Sequence, residues 1–143
     1  MLFRSRLYRH AEHFLALAEE AEPHLTGPRQ AAFLDKLAAD HDNLRIAIER
    51  AAANGWVEVA LRLGAALWRF WQMRGHLREG RERLRGVLTL PGAEQHPKAR
   101  ARALAAAGSV AYWMGDFPAA QERYQRALDL SREIGRASCR ERV

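Results

Sequence analysis

Three groups of residues in this chain have types and spacing that chemistry can use. Gly75 to Gly80, GHLREG, has the glycine spacing of a phosphate-binding loop. Arg81-Glu82 stands where such a loop needs Lys followed by Ser or Thr, and no strand precedes it. A turn with close packing explains these glycines better. His10 and His13 can share one helix face, as two metal ligands would, but no third donor has a matching spacing. Solvated or half-buried histidines are the simpler reading. His41 beside Asp42 has the residue types of a base and its orienting acid. No nucleophile lies near them in sequence, so a helix junction accounts for the pair better than catalysis does. No catalytic residue, metal site or cofactor is expected, and the expected function is non-enzymatic.

The remaining chemistry is that of contact, and it depends on helices. From Ala101 to Leu130 the residues Leu104, Gly108, Ala111, Gly115, Phe117, Ala120, Tyr124 and Ala127 fall at the spacing of a tetratricopeptide (TPR) unit. Such a unit is a helix, a tight turn and a second helix packed back on the first. Ala107, Gly108, Ala111 and Ala120 let the backbones approach, and Leu104, Phe117 and Tyr124 are expected to fill the space beside them. Gly115-Asp116 suits the turn.

The rest of the chain reads as further helices. The first is expected from about Ser5 to Ala21, stopped by Pro23. Residues 29–53 carry one apolar stripe, with a polar break at Asp40 to Asn43 that predicts either one bent helix or two short ones. Asn54-Gly55 suits a left-handed cap. Helices then follow over Trp56 to Arg74, His76 to Leu90, Lys98 or Ala99 to Met114, and Pro118 to about Glu133, with a loop at 91–98. Gly75, Leu77, Gly80, Leu84 and Val87 align with Gly115, Phe117, Ala120, Tyr124 and Ala127 at a 40-residue period. Gly80 and Gly86 should weaken their helix by roughly 1 kcal/mol each relative to Ala. The predicted fold is all-α, with TPR-like antiparallel hairpins stacked as a short right-handed solenoid. Residues 1–54 lead into the repeats at 55–133.

Trp68 and Trp71 lie on an apolar stripe and are expected in the core. With TPR geometry, an interaction groove would be lined by Arg62, Arg69 and Gln72 on one helix, and by Arg102, Ser109, Tyr112 and Trp113 on another. Arginines with aromatics suit an acidic protein or peptide partner. Equally, this face can pack on neighbouring repeats.

Composition agrees with helices: Leu and Ala are abundant. No apolar run is long enough to span a bilayer, and the N-terminus lacks the pattern of a secretory signal, so a cytoplasmic protein without membrane contact is expected. The single Cys139 excludes an internal disulfide and a cysteine-based metal site. Residues 134–143, IGRASCRERV, read as a translated sequencing adapter and hence as a non-native tail, with a short basic tail as the alternative. That tail carries Arg136, Arg140 and Arg142 against Glu141, so without it the formal charge of +6 falls to +4. Arginines between Arg69 and Arg85 alternate with Glu79 and Glu82, which favours a solvated helix face over direct nucleic-acid contact.

Three segments carry a family resemblance: HFLALAEEAEPHL, HDNLRIAI and ALRLGAALWRFWQMRGHLREGRERL. Through them, residues 7–133 resemble the helical region that follows the nucleotide-binding module in LuxR/STAND-type bacterial transcriptional regulators and related predicted ATPases. The resemblance implies a sensor and interaction module cut from a longer parent, with the ATPase upstream and more repeats downstream. Neither a phosphate loop nor a DNA-reading helix-turn-helix is present in these residues, so neither activity carries over to them. The alternative reading is a basic helical nucleic-acid-binding module.

Overall fold

The computed structural model describes the backbone of residues 2–141 and the side chains of residues 5–141, so Arg142 and Val143 of the basic tail lie outside the described residues. Among the described residues there are seven α-helices and no strand. They are α1 (Leu2–Ala21), α2 (Gln30–Ala39), α3 (His41–Ala53), α4 (Val57–Met73), α5 (Leu77–Leu88), α6 (Pro97–Trp113) and α7 (Phe117–Glu141). The stretch with two possible readings is two helices. They meet at Asp40, whose N–H donates to Leu37 O while its carbonyl accepts from Leu44 N.

Three of the connections are built alike. After α3, α4 and α6 a glycine takes a left-handed conformation, with φ of +73° at Gly55, +78° at Gly75 and +81° at Gly115. The next N–H then reaches back over the helix end. Trp56 donates to Ala51 O at 2.9 Å, His76 to Trp71 O at 2.7 Å, and Asp116 to Ala111 O at 2.9 Å. This bond satisfies a carbonyl the helix leaves open and reverses the chain at once into the following helix. At the third turn Asp116 Oδ1 also accepts from Ala119 N at 3.2 Å, capping α7.

Packing follows an overlapping order. The α1 helix lies against α3 and α4, α4 against α5 and α6, and α6 against α5 and α7. One buried apolar cluster runs from Ala11 to Val110 through these contacts. Alanines thin the α4 and α6 surfaces so that the helices approach closely, and Leu63, Leu67, Phe70 and Trp71 fill the interior. At Gly64 an added Cβ would meet Leu84 Cδ2 at 3.0 Å, and at Gly108 it would meet Tyr124 Cδ1 at 3.1 Å. Both glycines therefore serve close helix contact.

Several expectations are corrected. Gly80 does not merely weaken α5: a Cβ there would sit 2.9 Å from Trp71 Cε3, so this glycine makes room for a buried ring. Gly86 faces open space, as expected of a simple helix weakener. Phe117 fills no interior gap; it is 59% exposed because it opens α7 beyond the end of α6. Trp71 is buried as predicted, but Trp68 is only partly buried at the edge of the cluster. The α1 helix begins by Leu2, and α7 continues past Glu133 to Glu141 with most of its last two turns exposed.

Candidate interaction surface

The predicted groove residues sit on α4 and α6, but their arginines are not free. Arg62 Nε donates to Glu19 Oε2 at 2.9 Å, Nη2 meets the other oxygen, and Glu58 lies 3.8 Å away. The hydrogen bond to Glu19, against the opposing effect of burial, holds this guanidinium charged above its ordinary range. Arg102 Nη2 donates to Glu22 Oε1 at 2.7 Å. Acids from α1 and the short turn after it thus occupy both cations. The guanidinium of Arg69 lies 4.3 Å above the Trp68 ring, and Gln72 is half-buried one turn further on.

On α6, Arg102, Ser109 and Tyr112 fall on one face. Ser109 Oγ hydrogen-bonds Tyr124 Oη at 2.6 Å, tying that face to α7. Tyr112 and Trp113 are 53% and 50% exposed. Their rings are 6.0 Å apart, and Phe117 stands 5.5 Å from Tyr112. With exposed Tyr124 and Leu128, these residues form an aromatic surface at the α6–α7 end of the molecule. The structure therefore joins Ser109, Tyr112 and Trp113 to residues that sequence reading had assigned to the interior.

The histidine candidates resolve into packing and ion pairs. His10 and His13 flank Phe14 at 4.7 and 4.9 Å. The His10 Nδ1 atom is buried without a partner among the described residues, and burial, then Arg50 and His13, lowers the pKa of this imidazole. His41 pairs with Glu79 at 2.7 Å and not with Asp42, which instead contacts Arg45. Glu79 is also held by Arg45 Nη2 at 2.7 Å, and the His76 ring lies 4.5 Å from that of His41. Burial pushes the Glu79 carboxyl up, but the hydrogen bonds from His41 and Arg45 outweigh it and leave the pKa below the ordinary value. Among the described residues no group of three or more His, Cys, Asp or Glu side chains can hold a metal ion. Of the glycines of GHLREG, Gly75 forms the α4–α5 turn and Gly80 lies within α5.

A further feature was not visible in the sequence. A cleft of about 290 Å³ lies between α5, α6 and α7. Its floor is Leu104, Ala107 and Ala111 of α6 with Met114 just past the helix end, and its walls carry Arg81, Arg85, Arg123 and Arg126, with Arg100 from the first turn of α6. Asp116 is the one acid in the lining. Neighbouring carboxylates engage the walls loosely: Glu82 lies 3.6 Å from Arg81 and 3.5 Å from Arg85, and Glu122 lies 3.9 Å from Arg126. These arginines lie up to 45 residues apart in the sequence, and only folding assembles them.

No family model matches the chain. Three curated relatives do. The chain is similar to candidate HTH-type transcriptional regulators. They come from Mycobacterium bovis and from two strains of Mycobacterium tuberculosis, and each is 29% identical over 134 residues. The matched region is 89% of this chain and 15% of each relative, so the chain spans a small part of the length of the proteins it matches. No solved structure matches it. Among the described residues no helix is long and apolar enough to cross a membrane.

Proposed function

We propose that this chain is a non-catalytic interaction and sensor module of a multidomain bacterial transcriptional regulator, built as a short TPR-like solenoid. The observation that carries the reading is the overlapping packing order. Each helical pair covers the previous one, and the last pair presents Tyr112, Trp113, Phe117 and Leu128 without a cover. Repeat units of this kind bury their faces only by stacking, so an open aromatic end suits a neighbouring repeat or a partner helix. The likeness to transcriptional regulators many times longer than the chain supports a parent of that class. In the full regulator, a LuxR/STAND-type ATPase module would precede this region and more repeats would follow it. Partner binding to the helical scaffold would bias that switch.

Deleting residues 55–133 in the product of the complete reading frame tests this. The deletion should uncouple effector addition from transcription of a reporter, and an unchanged effector response refutes the reading. The basic charge supports a second reading, a nucleic-acid-binding module. Titration of residues 1–133 against duplex DNA at two salt concentrations separates the two. Tight binding that falls steeply with salt would favour nucleic acid. Nucleotide hydrolysis by the isolated module would overturn its non-catalytic role.

A further inference from the structure

We infer that the arginine-walled cleft between α5, α6 and α7 binds an acidic amphipathic helix. The partner would insert an apolar stripe against Leu104, Ala107 and Ala111 and set its carboxylates between the arginines on either wall.

Charge complementarity is the first argument. Five arginines face Asp116, and Arg100 and Arg123 have no carboxylate partner among the described residues. The arginines also come from all three helices, Arg81 and Arg85 from α5, Arg100 from α6, and Arg123 and Arg126 from α7. From Arg100 to Met114 the α6 floor rises roughly 21 Å at 1.5 Å per residue, a length that about 14 residues of helix would match. A single phosphate or carboxylate engages one or two guanidiniums, whereas a helix with acids on both flanks can engage all of them.

The chemistry of the walls selects the form of the partner. The floor and both walls are helices, whose backbone groups are bonded within themselves. An extended peptide would find no edge to pair with, so the partner must satisfy its own backbone, as a helix does. No aromatic side chain lines the cleft, which removes the stacking platform that single-stranded nucleic acid uses and the groove that polyproline segments use. The floor of small apolar residues admits side chains spaced three and four apart, the pattern of an amphipathic helix.

The test uses the chain as it stands. A fluorescein-labelled peptide of about 16 residues, with Leu at i, i+4, i+7 and i+11 and Glu beside them, is titrated and followed by anisotropy. The stripe peptide should bind, and the double reversal Arg85→Glu with Arg123→Glu should weaken it by about tenfold or more. Circular dichroism confirms that the variant is folded. If it is not, Arg85→Gln with Arg123→Gln takes its place, with a loss of about threefold or more expected.

Equal binding of a scrambled peptide with the same composition would overturn the proposal. So would tighter binding of an oligothymidylate, no binding of the stripe peptide up to about 1 mM, or an affinity that neither pair of substitutions changes. The inference names a partner within the interaction-module reading. Failure here with a positive deletion result would reject the cleft alone, whereas a negative deletion result would reject the module.

Discussion

Two glycines six residues apart in α5 should respond in opposite senses to the same substitution. At Gly86 an added Cβ meets nothing within 4 Å, so Gly86→Ala gains helix propensity alone. It should stabilise the chain by about 0.5–1 kcal/mol. At Gly80 the same methyl would lie 2.9 Å from Trp71 Cε3, 3.2 Å from Cδ2 and 3.3 Å from Cβ. Carbon contacts are comfortable at about 3.5–4.0 Å, so the indole must move by roughly half an ångström or more. Trp71 is 2% exposed and enclosed by core side chains, which leaves it little room to do so. Overpacking of this kind costs about 1–3 kcal/mol. The propensity gain is common to both variants, so their difference in stability should equal that cost. Urea unfolding followed by circular dichroism measures it, provided the slopes match. Equal stabilisation by both substitutions would show that α5 does not press on Trp71, and the packing described between α4 and α5 would be wrong.

Acid should destabilise the fold in two stages. Burial, then His41 and Arg45 against the opposing Glu79, lowers the His76 pKa below 6.5. Its contribution is therefore complete above about pH 6.5 and is lost as pH falls through the lowered value. Glu79, below 4.5 in the fold, contributes above that pH and loses its share as pH falls further. His10, whose pKa burial also lowers, shares the first stage, so His76→Gln should reduce that stage and Glu79→Gln the second. Urea midpoints that track wild type across both windows would contradict the assignment. A double-mutant cycle on Arg62→Ala and Glu19→Ala should give a coupling of about 0.5–1 kcal/mol, modest because both groups are partly solvated. No coupling would mean that α1 is not held there. Leu84→Ala, at a fully buried site against Gly64, should cost about 2–5 kcal/mol in urea unfolding, and a loss below about 1 would place Leu84 outside the core.

What the sequence disclosed follows the range of the forces involved. Gly55, Gly75 and Gly115 announce their turns because the left-handed cap is a local requirement, met within six residues. The break at Asp40 was visible for the same reason, though one helix or two depended on tertiary packing. Gly80 and Gly86 are alike as letters; only Trp71, on another helix, tells them apart. The arginines expected to line a groove lie on α4 and α6, but the acids that engage two of them lie 43 residues away for Arg62 and 80 for Arg102. The cleft was hidden more deeply still, since α5, α6 and α7 each supply arginines that look like ordinary solvated residues.

The central claim is that these helical pairs form a contact scaffold whose α6–α7 end is covered in the complete protein. Hydrogen exchange over residues 112–128, compared between this chain and the product of the full reading frame, addresses it most directly. The amides of this segment should exchange at least about tenfold more slowly in the longer protein, since covering an open helical face raises its local unfolding free energy. Identical exchange in the two would mean that Tyr112, Trp113 and Phe117 face solvent in both, and the scaffold reading would fail.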